Sequence, residues 1–297
     1  MHQMDRDRLH LTSEMNRSAL ARMEDEVAIK DRVKAGISAV EAQVPLFKRL
    51  FGQVESQWKK DKSRVTEADL TISNETERRI LQAFPEDQFF SEETQDQDEP
   101  VPMTSEFVWI IDPVDGTNNF ALGMSMCAIS LGLLRNGVPV YGIIYDASRD
   151  LLMHGGKGLG VFEGDGTMLP SERTESKELF VAFDGFSADR LFTLLTALKG
   201  QGFKMRNMGT GTLHLAYTAN GLMDGSFSNR VSIWDIAAAY ALCEGAGTEF
   251  HFFDQSIFPM KEFSLKSPKI YYYAGTDYFC RKVEQVWNEA GVFPSSP

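Results

Sequence analysis

Asp112 and Asp115 are the residues of this sequence whose type and spacing most directly suggest chemistry. They lie in the stretch Trp109 to Phe120, WIIDPVDGTNNF, where an apolar run leads into two acids divided by Pro-Val and followed by Gly-Thr. An apolar run ending in acids has the pattern of a buried strand that delivers carboxylates to an edge. Pro113 has no backbone N–H and disfavours helix at the preceding residue, so the strand is expected to end at Asp112 and turn there. Such a turn can aim Asp112, Asp115 and the Val114 carbonyl at one point. Three oxygens from one turn suit a hard cation such as Mg²⁺, which favours octahedral oxygen coordination and keeps waters that a phosphate can displace. Gly116 would let the backbone approach a ligand closely, and amides near Gly116 and Thr117 could meet a phosphate if they open a short helix. The Thr117 hydroxyl could position a water. Taken alone, the same residues also suit an ordinary turn with solvated acids.

Two other readings of the stretch fail on spacing. An EF-hand calcium loop needs an oxygen-bearing side chain at its third position, which here is Val114. The phosphatases that form an aspartyl-phosphate carry their acids two apart in a D-x-D-x-T loop, whereas Asp112 and Asp115 stand three apart. That offset faces the second acid differently and argues against a covalent phosphoaspartate.

The rest of the chain must hold this stretch in place, and its composition bounds how. With 297 residues and 43% hydrophobic content, the chain can bury one large core or two smaller ones. A formal net charge of −12 and a pI near 5.0 give no surface suited to nucleic acid or an acidic membrane. An acidic protein that binds an anion needs metal cations to invert the local field. Cys127, Cys243 and Cys280 are far apart and odd in number, which argues against a disulfide framework and points to a reducing compartment. The N-terminus is charged, and no run approaches the ~20 apolar residues of a membrane helix. The expectation is a soluble, cytoplasmic protein.

Periodicity places a long helix over residues 24–52, bent at Pro45, and a second over TEADLTISNETERRILQAF, Thr66 to Phe84. QFFSEE, FVWIID, MCAISLGLL and VPVYGIIYD read as strands of an antiparallel sheet, with Asn136-Gly137 turning a tight hairpin; LLMHGGKGLGVFEG continues it. After the polar stretch SERTESKE, strands LFVAFD, FKMRN, LMDGSF and KIYYYAG alternate with helices ADRLFTLLTALKG, GTLHLAYTAN and WDIAAAYALCEGAG. The expected class is α/β: an N-terminal extension over 1–23, an α+β half over 24–176 and an α/β half over 177–297, with the site where the halves meet.

Four motifs occur in order: VTEADL from Val65, SEET from Ser91, WIIDPVDGTNNF from Trp109 and WDIAAAYALCEGAG from Trp234. In this order they resemble the signatures of the inositol monophosphatase family of metal-dependent, lithium-sensitive phosphomonoesterases, and the likeness runs from Glu24 to the C-terminal helix. The resemblance implies a layered αβαβα sugar-phosphatase fold and two or three Mg²⁺ ions. By the same resemblance, Glu92, Asp112 and the Val114 carbonyl are ligands of one metal, and Asp112, Asp115 and Asp235 of a second. A metal-activated water, assisted by Glu92, Thr117 and Asp69, attacks phosphorus directly. Asp115, Gly116, Thr117, Thr210 and Ser228 become candidate substrate contacts, and a homodimer is implied.

Read without the resemblance, Asp235 is a helix cap, Asp69 a surface acid, Glu92 a solvent-facing one and His214 a packed core residue. Members that prefer inositol phosphates carry an acid a few residues before the W-D pair, where this chain has Ser228, Asn229 and Arg230. The implied substrate is therefore a small polyol or sugar phosphate. Histidinol phosphate, 3′-phosphoadenosine 5′-phosphate and fructose 1,6-bisphosphate are alternatives, as is a metal-binding regulator without turnover.

Overall fold

The computed structural model describes residues 27–54, 57–58, 64–93, 99–164, 166–167, 178–185 and 189–289. The expected extension over 1–23, the polar stretch SERTESKE up to Lys177 and the middle of the acidic run after Glu93 lie outside these residues. Eight helices are used below: α1 (27–41), α2 (Val44–Leu50), α3 (Glu67–Ala83), α4 (Thr117–Leu122), α5 (Asp189–Gly200), α6 (Gly211–Ala219), α7 (Ile233–Ala246) and α8 (Asp277–Glu289). No helix among the described residues is long and apolar enough to cross a membrane.

The fold is a stack of five layers. Ala39, Val40, Phe47, Ile72 and Ile80 of α1 to α3 pack on Trp109, Ile111, Leu131 and Ile143, one face of a seven-stranded sheet. Val108, Ile110 and Ile144, on the opposite face, meet Leu213, Ala237 and Leu242 of α6 and α7. Tyr272 and Ala274 join the same core from a five-stranded sheet below. The far face of that second sheet is covered by α5 and α8 through Leu194, Leu198, Phe279, Val283 and Trp287. Strand alternation explains the sequence here: Val108 and Ile110 face one way and Trp109 and Ile111 the other, so a strand buried on both sides reads as an unbroken apolar run.

The seven-stranded sheet is antiparallel except at one edge, where Gln88–Ser91 runs parallel to Phe107–Asp115. The all-antiparallel expectation is corrected there, because the chain between Ser91 and Phe107 returns to the end of the sheet where the first strand began, so the second strand runs in the same direction. In the second sheet Leu179–Asp184 pairs in parallel with both Phe203–Arg206 and Gly225–Val231, while Ile270–Gly275 is antiparallel to its neighbours. Asn136 and Gly137 both have positive φ, 51° and 78°, as a tight primed hairpin turn requires.

Three boundaries differ from the sequence expectation. The single bent helix over 24–52 is two helices, since Pro45 lies in the first turn of α2 and its ring suits a helix start better than a bend. The strand placed at LMDGSF is Gly225–Val231 and so includes Ser228, Asn229 and Arg230. The strand expected to stop at Asp112 runs on to Asp115. Pro113 is accommodated because the pairing register shifts between Asp112 and Asp115, where the ladder does not need its missing donor.

Candidate active site and metal centre

The register shift at Pro113 puts both acids on one short bulged segment at the end of a fully buried strand. Gly116 follows in the left-handed region at φ 83°. A Cβ there would lie 2.8 Å from the Met126 carbonyl oxygen and 3.3 Å from that of Gly209, so glycine alone lets the chain turn between two backbones. The turn opens α4 at Thr117, as expected, and the Thr117 hydroxyl donates to the Val114 carbonyl at 3.0 Å.

The third acid comes from α7. Gly132 and Gly142 pair across neighbouring strands, and α7 lies directly on them: a Cβ on Gly142 would sit 2.0 Å from the Ala238 carbonyl oxygen. The alanine run Ala237 to Ala239 and these glycines together allow a helix–sheet approach that larger side chains would prevent. Asp235, one turn earlier on α7, is thereby brought to the strand end. Carboxylate oxygens of Asp112, Asp115 and Asp235 lie within 4.8 Å of one another.

Two of the candidate acids are held by the same local device. Asp235 is the third residue of α7 and accepts from the Ser232 amide at 2.6 Å in a capping box. Asp69, third in α3, accepts from the Thr66 amide at 2.7 Å and from the Thr66 hydroxyl at 2.5 Å. A capping box satisfies helix-end donors and also fixes the acid's rotamer. Asp69 is 1% exposed, not the surface acid its helical position suggested. Glu92 is half-buried, and its amide donates to Ile111 at 3.2 Å, prolonging the parallel pairing to the strand that carries Asp112.

Electrostatics marks the cluster as short of positive charge. Burial pushes the Asp112 carboxyl well above its ordinary value, and Glu92, Asp115, Asp235 and Asp69 push it further. Asp115 is raised to about 6 by burial, against hydrogen bonds from Thr210 and Thr212 that favour its ionised form. Asp235 is raised to about 8 by burial and then by Asp115 and Glu92. Buried like charges with all-oxygen donors fit a hard divalent cation, whose charge reverses each of these shifts.

Of the other sequence candidates, Thr210 is 1% exposed and its hydroxyl donates to Asp115 Oδ2. Ser228 is fully buried in the Gly225–Val231 strand, and its hydroxyl accepts from the Arg230 amide at 3.2 Å. His214 is a core residue: its Nε2 accepts from the Met208 amide at 3.0 Å, and burial lowers it to about 3. Sequence reasoning missed Thr212, whose amide donates to Asp115 Oδ2 at 2.8 Å and whose hydroxyl donates to the Asp235 carbonyl at 2.9 Å. It also missed Asn119, which donates to the carbonyls of Met126 and Met208 at 2.7 Å each and so ties α4 to the segment leading into α6. Thr212 follows Thr210 in a T-x-T pattern that could have flagged it. Lys269, whose ammonium donates to Ser232 Oγ at 2.6 Å, carries no such local signal.

A five-layered αβαβα stack around acids gathered at a strand end defines a sugar-phosphatase-like class of enzyme. The model of the inositol monophosphatase family matches residues 25–288, and the chain belongs to that family of phosphoric monoester hydrolases. It is 31% identical to the inositol-1-monophosphatase of Bacillus subtilis, over 63% of this chain and 72% of that protein. It is 29% identical to the fructose-1,6-bisphosphatase/inositol-1-monophosphatase of Aquifex aeolicus, over 68% of this chain and 78% of that protein. Among solved structures, an IMPase/NADP phosphatase complexed with Mg²⁺ and phosphate superposes with a TM-score of 0.72 at 19% identity, covering 91% of this chain and 98% of that chain.

Proposed function

We propose that the protein hydrolyses a small polyol or sugar phosphate in a Mg²⁺-dependent reaction. The observation that carries this reading is the convergence of two buried carboxylates, Asp112 and Asp115, with the half-buried Asp235, all within 4.8 Å, with Glu92 close enough to raise all three. Glu92, Asp112, the Val114 carbonyl, Asp115 and Asp235 would hold two or three Mg²⁺ ions, in keeping with the Mg²⁺ and phosphate of the structurally similar IMPase/NADP phosphatase. When bound, such ions neutralise phosphate charge and make water a better nucleophile.

The chain's own groups have separate tasks. Glu92, with Thr117 and Asp69, accepts the proton of the attacking water. One P–O bond forms to that water oxygen as the ester P–O bond breaks in line, and the leaving oxygen takes a proton from solvent water to depart as the alcohol, so no phospho-enzyme arises. Thr210 and Thr212 keep Asp115 ionised and oriented by donating to the same oxygen. Gly116 leaves room for the phosphate beside the Thr117 amide. Ser228 stands where an acid would suit ring hydroxyls but is a buried, uncharged residue, which favours a substrate with less demand for such contacts than inositol. The exposed neighbour Arg230 suits a second anionic group, which keeps bisphosphates as the alternative class. The reading extends to a homodimer in the cytoplasm, with the site shared by the halves 24–176 and 177–297.

Phosphate release from inositol 1-phosphate, histidinol phosphate, adenosine 3′,5′-bisphosphate and fructose 1,6-bisphosphate, with and without Mg²⁺, tests this. Mg²⁺-dependent release from at least one monoester is expected. Metal binding without release from any would favour the regulator.

A further inference from the structure

A second group of potential ligands lies far from the carboxylate pit, at the outer edge of the five-stranded sheet. Glu249 and His251 stand two apart on the edge strand Glu249–Phe252, so their side chains leave the same face. Cys280 and Glu284 stand four apart on α8, one turn along one side of the helix that packs on that face. Ligand atoms of Glu249, His251 and Cys280 all lie within 4.8 Å of one another, with His251 Nε2 3.3 Å from Glu249 Oε2. Tyr273, paired with His251 in the sheet, stacks under its imidazole at 4.9 Å and donates its hydroxyl to Glu284 at 3.1 Å.

We propose that Glu249, His251 and Cys280 form a second, non-catalytic metal site for a zinc-class divalent cation, clamping the edge strand to α8. The donor set decides the class. One sulfur, one imidazole nitrogen and one carboxylate oxygen match the mixed ligands that zinc accepts, and the thiol makes Mg²⁺ a poor occupant. Tetrahedral bonds of roughly 2.0–2.3 Å place donors roughly 3.3–3.8 Å apart, a spacing the Glu249–His251 pair already has. Cys280 is 1% exposed while Glu249 and His251 reach solvent, so an ion can enter from the strand side and close on the buried sulfur. Glu284, held by the Tyr273 hydroxyl, stands outside this group of three, which leaves the fourth tetrahedral position to water. Burial and the neighbouring Glu249 also hold the Cys280 thiol above its ordinary value, which disfavours a reactive-cysteine role.

Cobalt(II) gives a readout that the catalytic carboxylates cannot mimic, because none of the ligands named there is a thiol. The full-length protein, freed of metal by chelation and returned to saturating Mg²⁺, is titrated with Co²⁺ while the thiolate-to-cobalt charge-transfer absorption is followed. One equivalent of Co²⁺ should produce the band, and Zn²⁺ should bleach it. Asp112→Asn should leave it intact, Cys280→Ser should abolish it, and His251→Gln, at a half-exposed position that does not threaten folding, should weaken Co²⁺ binding at least about tenfold. Absence of the band from the unsubstituted protein, or its survival unchanged in Cys280→Ser or His251→Gln, would overturn the proposal.

Discussion

Asp87 and Asp112 are both buried acids, on opposite sides of one function. Asp87 has a fully buried carboxylate, which accepts from Arg32 Nε at 2.9 Å and Arg32 NH2 at 2.7 Å and from the Trp109 indole at 2.9 Å. The guanidinium is itself held between the Phe84 and Phe107 rings, at 4.4 and 3.9 Å. Asp112 has the Val114 amide at 3.0 Å and, around it, four further carboxylates. Burying a charge costs several kcal/mol unless it is compensated, and the chain compensates one of these acids but not the other. The difference teaches that Asp87 belongs to the fold and Asp112 to chemistry that brings its own cation.

The largest test of that contrast is a pair of substitutions. Asp112→Asn should lower Mg²⁺-dependent turnover by about 10³-fold or more while raising the melting temperature of the chelated protein, since it removes a repelled charge. Arg32→Met should do the reverse, costing about 3–5 kcal/mol of stability by stranding Asp87, with turnover per folded molecule unchanged. Denaturant titration and steady-state kinetics on both variants check this. A stable Arg32→Met protein, or an Asp112→Asn enzyme of normal activity, would dissolve the comparison.

Next in size is the helix–sheet approach that brings Asp235 to the strand end. Gly142→Ala has no room at 2.0 Å from the Ala238 carbonyl oxygen, so α7 must move. Stability should fall by about 2–4 kcal/mol, and Mg²⁺ affinity should fall with it. Unchanged metal affinity in the folded fraction would show that α7 does not set the site.

The pH dependence tests the uncompensated carboxylates around Asp112 more gently. Asp115 and Asp235 are raised to about 6 and about 8 from an ordinary value of 3.8. Between those limits the folded protein holds more protons than the unfolded chain, so stability without metal falls as pH rises from about 4 to about 8. Saturating Mg²⁺ should cancel most of that slope, as differential scanning calorimetry with and without chelator can show. The smallest expected effect is at Thr117: Thr117→Ala should lower kcat by about 10²-fold or less with metal affinity nearly unchanged.

Much of this was legible in the sequence because it is local. WIIDPVDGT declares a buried strand, acids at its end and a glycine that lets the backbone approach closely within nine positions, and T-x-x-D and S-x-x-D write the two capping boxes that hold Asp69 and Asp235. The Asn136-Gly137 hairpin likewise depends on adjacent residues. What stayed hidden depends on partners distant along the chain. Pro113 reads as a strand end, but pairing with Ala128 beyond the register shift carries the strand on to Asp115. Ser228 aligns with a substrate-facing acid, yet the strand that contains it buries it completely. Neither the bridge from Arg32 to Asp87 nor the Lys269–Ser232 contact has a signature, because its partners meet only after the layers assemble.

The most direct test of the central claim is calorimetric titration of Mg²⁺ into the chelated protein and into its Asp112→Asn variant. The protein should bind Mg²⁺ with proton release near neutral pH, because Asp235 gives up its proton to the cation, and the variant should lose most of that affinity. Equal Mg²⁺ binding by the two proteins would contradict the account and place the metal elsewhere.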